Sequence, residues 1–373
     1  MKRPVIICAN PVFGDEGLSS TEEIAKELSR LRPVVFVNFP ITLSQLKSQR
    51  HRVKTANTLE LVKGYDQLWV YEPPIMLPSN ALNGLSYTVV NDINNRRYYR
   101  GLKRLINHFN WSEVDLVNAF NPLYASACTK FKAHSLTYYC YDNIAASHWM
   151  RNHGTRLEET LVSQVDKIIV SSPGLKAKFS SASVPVYLVP NGMDASNFSV
   201  LNDIPKDSIA LAYVGAIDDR IDYDFIEEIL KLPEVRTLKL AGPLKTVHAN
   251  VLSKHSKVDY LGILPKEKVG ERLSNVNTGL IPFVKNEFTK YIYPLKINEY
   301  LGKGLAVLTT DFADLTDFEE YVRPIKSLAE ATSELQRILK EDLTESKKLA
   351  RHEFALKNTW QHRAALFNES LNG

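Results

Sequence analysis

The stretch Tyr291 to Thr310, YIYPLKINEYLGKGLAVLTT, constrains the chain most, because a helix start, a short helix, a glycine stop and a buried strand follow one another without a gap. Pro294 suits the first helical position, where its fixed φ is an advantage and its missing amide is no loss. The free amides after it point out of the helix and favour an anion. Lys296 adds a full positive charge in that turn, and Glu299 follows three residues later on the same face. Gly302 and Gly304 end the helix, and Leu305 to Leu308 reads as a strand buried on both faces. A diphosphate fits the helix start and Lys296, with the Glu299 carboxylate accepting hydrogen bonds from a ribose. The same Lys and Glu also read as an ordinary solvated helix pair worth a few tenths of a kcal/mol, and spacing alone leaves both readings open.

The chain has 373 residues, enough for two domains with full cores. Apolar runs stop well short of the ~18 residues that span a bilayer, and the expected location is cytoplasmic. Cys8, Cys128 and Cys140 are too few for a disulfide framework, and no Cys/His cluster has metal-ligand spacing. Residues 1–190 carry 22 Lys+Arg against 15 Asp+Glu, a balance of +7, while the rest carry 24 against 27, or −3. The first half therefore prefers an acidic partner. No cofactor and no nucleic acid are expected.

Pro4 to Ala9 reads as a first strand, followed by a loop with Gly14 and Gly17 and a helix whose Ser20 and Glu23 have capping-box spacing. The glycine spacing is not GxGxxG, so the dinucleotide fingerprint is missing and a nicotinamide oxidoreductase is disfavoured. From Asn94 to Trp111, Arg96, Arg97, Arg100, Lys103 and Arg104 crowd one helical segment with Leu102, Leu105, Ile106 and Phe109 on another side. Such a helix lies in an anionic membrane interface, or it packs its apolar side on its own domain. Leu136 to Tyr141 reads as a strand ending at Asp142, at the carboxyl edge where open α/β sheets bind ligands. Asp142 serves there as a general base, or it caps the helical run Asn143 to Met150. His148 and His153 are the alternatives one or two turns on. In the second half Ile209 to Val214 reads as a strand with Gly215 as its exit, and Asp222 as the cap of the next helix rather than part of a metal-binding DxD. No metal site is expected.

The pattern Pro294, Leu295, Lys296, Glu299, Tyr300, Leu301 and Gly304 resembles the donor-site helix of GT-B glycosyltransferases. The likeness is greatest to bacterial group 1 enzymes, including teichuronic-acid-type and xanthan-type glucuronosyltransferases. The resemblance implies an α/β chain of two facing Rossmann-like domains, with a C-terminal helix that crosses back to the first. The boundaries implied are 1–190 for an acceptor domain, with 353–373 returning to it, and 205–352 for a nucleotide-sugar donor domain. Pro190, Asn191, Gly192 and Asp194 match the interdomain linker. Donor contacts are implied at Gly215, Arg220, Ile263, Tyr293, Pro294, Leu295, Lys296 and Glu299, with Arg220 as second cation and the turn at Ile263 pairing with the base. The acceptor side falls to Gly14, Gly17 and His148, and the catalytic base to Asp142.

Retaining members usually carry a second glutamate eight positions before the one matching Glu299, and Tyr291 stands there. The expected function is therefore an inverting transfer of a sugar from a nucleoside diphosphate, UDP favoured, to a glycan or lipid-linked acceptor in surface polysaccharide synthesis. A peripheral contact with anionic membrane through the five basic residues accompanies it. A nucleotide-sugar 2-epimerase and a non-catalytic glycan-binding protein share the architecture and remain alternatives.

Overall fold

Val5–Ala9 (β1) is an apolar run buried at every position, which suits a central strand of a parallel sheet. The computed structural model describes residues 2–15, 19–79, 82–146, 150, 153–195, 200 and 205–373. By its internal contacts the chain divides into two units, one of Met1–Pro190 with Trp360–Gly373 and one of Asn191–Thr359.

In the first unit β1 is joined by Val34–Val37 (β2), Leu59–Leu61 (β3), Leu68–Tyr71 (β4), Asp115–Ala119 (β5), Ser135–Cys140 (β6), Lys167–Val170 (β7) and Val186–Leu188 (β8). They form one sheet in the order β3-β4-β2-β1-β5-β6-β7-β8, parallel except for the edge strand β3. Strand order reverses between β1 and β5, which makes their carboxyl ends the place for a ligand. The amino ends are closed by charge. Arg32, buried, donates to the Asp115 carboxylate at 2.9 Å and to the Arg3 carbonyl at 2.6 Å, and reaches Asn368 of the C-terminal helix Trp360–Asn372 at 3.4 Å. Lys167 donates to the Leu371 carbonyl of the same helix at 3.1 Å.

The second unit holds Ile209–Val214 (β9), Val235–Ala241 (β10), Val258–Gly262 (β11), Thr278–Ile281 (β12), Ala306–Thr310 (β13) and Val322–Ile325 (β14). This sheet is parallel throughout, in the order β11-β10-β9-β12-β13-β14, with its switch point between β9 and β12.

Several expected boundaries move. The chain rejoins the first unit at Trp360, not near residue 353. Helix Glu345–Leu356 is kept in the second unit because Arg351 donates to the carbonyls of Gly304 and Asp342, and His352 meets that of Gly302. Ser19, not Ser20, caps the first helix, its hydroxyl accepting the Glu22 amide. The basic segment is the second half of one helix, Gly84–Phe109, of 26 residues. No helix among the described residues is long and apolar enough to cross a membrane.

Asp115→Asn leaves Arg32 buried without its counter-charge. The expected loss is about 3–5 kcal/mol of stability, read as a lower denaturant midpoint.

Candidate functional site

Gly215 and Gly242 directly follow β9 and β10, Gly262 closes β11, and the backbones at these ends bond to one another. The Gly215 amide donates to the Ala241 carbonyl at 2.9 Å, the Gly242 amide to the Gly262 carbonyl at 2.8 Å, and the Tyr260 hydroxyl to the Gly242 carbonyl at 2.9 Å. At Gly242, with φ +137°, a Cβ would overlap the Gly215 carbonyl oxygen. The edge above β9 to β11 is therefore bare backbone, which lets a ligand approach closely.

Helix Leu295–Gly302 is anchored beside this edge by Tyr300. Its ring lies over Gly279 of β12, where a Cβ would collide with it, and its hydroxyl accepts the Val214 amide at the end of β9 at 3.1 Å. Burial pushes the phenol pKa well up, so it stays neutral. The helix is thus tied to both strands of the switch point. Pro294 is its N-cap, not its first residue: its φ of −78° and ψ of 104° are extended, and its carbonyl accepts the Ile297 amide at 3.1 Å. No side chain caps this end, so the first-turn amides keep their attraction for an anion.

Lys296 and Glu299 form an ion pair of 2.5 Å, both half-buried. Lys303, one more turn along the same edge, is only 3% exposed; burial lowers its pKa, and Glu299 opposes that shift. Sequence reasoning missed Lys303, although its spacing of seven from Lys296 was the available signal. Arg220 forms a bidentate pair with Asp218 at 2.8 and 2.7 Å, and its guanidinium lies 5.6 Å from the Phe283 ring centroid. Its carbonyl accepts the Val284 amide at 2.8 Å, joining the loops after β9 and β12. Lys285 pairs with Asp311 and Lys290 with Glu287. Arg220, Lys285, Lys290 and Lys296 each carry a carboxylate partner, so an anion arriving at one of them exchanges partners with it.

Ile263, 73% exposed, follows β11. Leu295 is half-buried in the first turn. Tyr293 differs from expectation: its side chain is in the core, 4% exposed, with its ring 5.2 Å from that of Phe318, so only its backbone can meet a ligand. Asp222 caps the helix Tyr223–Lys231 by accepting the Phe225 amide.

In the first unit the Gly14 amide donates to Glu22 at 2.9 Å and the Phe13 amide to Asn38 at 2.9 Å. Arg52 and Glu72, both buried, form a bidentate pair that Asn38 also joins. These residues and Asp15, His51 and Glu60 line a cavity of about 310 Å³ at the carboxyl ends of β1, β2 and β4. The partner of Arg52, Glu72, stands twenty residues on, a pairing that local spacing does not signal. Asp142, half-buried, lies just beyond β6. Asp142 accepts the Asn143 amide at 2.7 Å, and Asn143 accepts the Ala145 amide at the turn Ile144–Ala146. Below it, Glu158 joins Lys178 at 2.6 Å and the Tyr138 hydroxyl at 2.8 Å. Burial pushes the Cys140 thiol pKa up, so it stays protonated and unreactive. His153 stacks on Tyr87 with centroids 3.7 Å apart, a packing role. Gly17 and His148 lie outside the described residues.

Over its full length the chain is similar to the sucrose-phosphate synthase of Thermosynechococcus elongatus, with TM-score 0.70, 14% identity and 98% of that chain covered. The chain has the GT-B fold. A UDP-forming trehalose-phosphate synthase from Burkholderia xenovorans is also similar over 100% of this chain and 99% of its own, with TM-score 0.66 and 11% identity. A Bacillus subtilis (strain 168) protein, TuaH, provisionally described as a teichuronic acid biosynthesis glycosyltransferase, is 23% identical over 225 residues, which are 54% of this chain. The match spans about half of that relative's length, 56%. No family model matches.

Gly279→Ala is expected to cost about 1–3 kcal/mol through overlap with the Tyr300 ring. Adding Tyr300→Ala recovers part of that loss, a non-additivity that thermal melts of the two single variants and the double variant measure.

Proposed function

We propose that this protein is a glycosyltransferase that takes a sugar from a nucleoside diphosphate and passes it to a hydroxyl of a glycan or lipid-linked acceptor. The observation that carries the reading is the helix Leu295–Gly302. Its start is uncapped, it bears Lys296 and Glu299, and Tyr300 bonds it to the switch point of the second sheet. When the donor binds, the Lys296 ammonium leaves Glu299 for the diphosphate, and the freed Glu299 carboxylate accepts hydrogen bonds from the ribose. Arg220 supplies the second positive charge, and the backbone at Gly215 lets the phosphates approach. The turn at Ile263 faces the base.

In the transfer step Asp142 takes the proton of the acceptor hydroxyl. The hydroxyl oxygen bonds to the anomeric carbon while the bond from that carbon to the phosphate oxygen breaks, with inversion. The leaving diphosphate keeps the electron pair, and its charge is met by the helix start, Lys296 and Arg220. A UDP donor is favoured by the likeness to a UDP-forming synthase, and surface polysaccharide synthesis by the likeness to the teichuronic acid protein.

Calorimetric titration with UDP, GDP, ADP and dTDP tests the donor site. UDP is expected to bind, and Lys296→Ala to weaken it at least about tenfold; folded protein that binds none of the four ends the reading. Asp142→Asn is expected to leave UDP affinity unchanged and to lower transfer at least about 10²-fold. Proton NMR of the product reads the stereochemistry, and a product with the donor's anomeric configuration overturns inversion.

A further inference from the structure

On helix Gly84–Phe109 each residue turns about 100° from the last, so Leu85, Val89, Ile93, Arg96, Arg100 and Lys103 fall within roughly one 100° arc. The opposite face is buried through Tyr87, Asn94, Tyr98, Leu102 and Leu105. On the outer arc Leu85 is 80% exposed, Val89 50% and Ile93 40%, and the basic residues that follow are exposed as well. One face therefore runs from an apolar stripe straight into a basic one, and Asp92 is the only acidic residue of the helix.

The basic half also borders a cavity. Asn95, buried, donates to the Leu123 carbonyl and accepts the Ala127 amide, which holds the short helix Ala125–Lys130 against the long one. Arg96, Arg100 and Lys130 thereby come together with Tyr99 and Ser126 around a cavity of about 400 Å³. Lys103 stands beside them, over the Tyr99 and Phe131 rings at 5.9 and 5.5 Å. Among the described residues none of Arg96, Arg97, Arg100, Lys103 and Lys130 has a carboxylate within ion-pair distance. Arg220, Lys285, Lys290 and Lys296 of the second unit each have a carboxylate partner, so this is the face whose charge calls for an outside partner.

We propose that this face docks on an anionic phospholipid bilayer. Leu85, Val89 and Ile93 enter the headgroup boundary, and a lipid phosphate sits among Arg96, Arg100 and Lys130. Apolar residues on a protein surface cost little singly. A row of them joined end to end with unpaired cations matches the two attractions that hold a helix in a membrane interface, apolar burial and anionic lipid. A soluble phosphate ligand would use the cavity and leave the apolar row without a role. The proposal stands apart from the transferase reading, because no residue of the nucleotide site takes part.

The test is co-sedimentation of the whole protein with vesicles of phosphatidylcholine alone, or with about 30% phosphatidylglycerol, at about 0.15 M salt. The parent is expected to bind the anionic vesicles at least about tenfold more tightly than the neutral ones. Arg96→Glu with Arg100→Glu removes most of that preference, and Leu85→Asp with Val89→Asp weakens binding to both. Far-ultraviolet circular dichroism and the thermal midpoint of each variant show that it is folded, so the outcome does not depend on nucleotide binding. Equal binding to both vesicles, no binding to either, or a charge-reversed variant that sediments like the parent overturns the proposal. So does saturable binding of inorganic phosphate without sedimentation, which assigns the cavity to a soluble anion.

Discussion

The hydrogen bond between the Val214 amide and the Tyr300 hydroxyl governs the second unit. The Tyr300 side chain is buried and Val214 is half-buried, and a buried polar group left without a partner costs about 1–3 kcal/mol. Paired, they fix the register of helix Leu295–Gly302 against the end of β9. The absence of a side chain at Gly279 lets the Tyr300 ring lie flat enough on β12 to reach. One tyrosine and one glycine thus decide where the uncapped helix start, Lys296 and Glu299 are held. The glycines at the ends of β9, β10 and β11 keep side chains out of the space beside them.

Electrostatics divides the two units by partner rather than by charge count. In the second unit Arg220, Lys285, Lys290 and Lys296 each hold a carboxylate, which keeps cations ordered in the absence of an anion and makes binding an exchange of partners. In the first unit the buried cations Arg32 and Arg52 are also paired and serve as fasteners. The exposed cations Arg96, Arg97, Arg100 and Lys103 of helix Gly84–Phe109 have no carboxylate partner among the described residues, a difference that the +7 balance of residues 1–190 does not by itself reveal.

Much of this was legible along the chain because the signals are local. Alternation of apolar runs with helical periods, punctuated by glycine and proline, places the strands and the Leu295–Gly302 helix, since a strand buried on both faces and a helix stop each need only neighbouring residues. The i,i+3 pair of Lys296 and Glu299 follows from helical geometry in the same way. Asp142 falls beyond β6 because a polar residue ends an apolar run. Contacts between residues distant in sequence were not legible: the Arg220 guanidinium lies over the Phe283 ring, and the Tyr293 ring lies beside that of Phe318. Leu85 to Ile93 gave no warning of exposure, because an apolar residue reads as core until the packing of its helix is known.

Sequence by itself determined the α/β class and the positions of the Leu295–Gly302 helix and of Lys296 and Glu299 on it, because periodicity, chain breakers and charge act over a few residues. Tertiary structure alone decided that Tyr300 anchors that site, that Lys303 is buried beside it, that Arg52 and Glu72 meet, and that the chain rejoins its first unit at Trp360. Those outcomes depend on which buried polar groups find one another across long stretches of chain, and the cost of leaving any of them unpaired is what selects the arrangement.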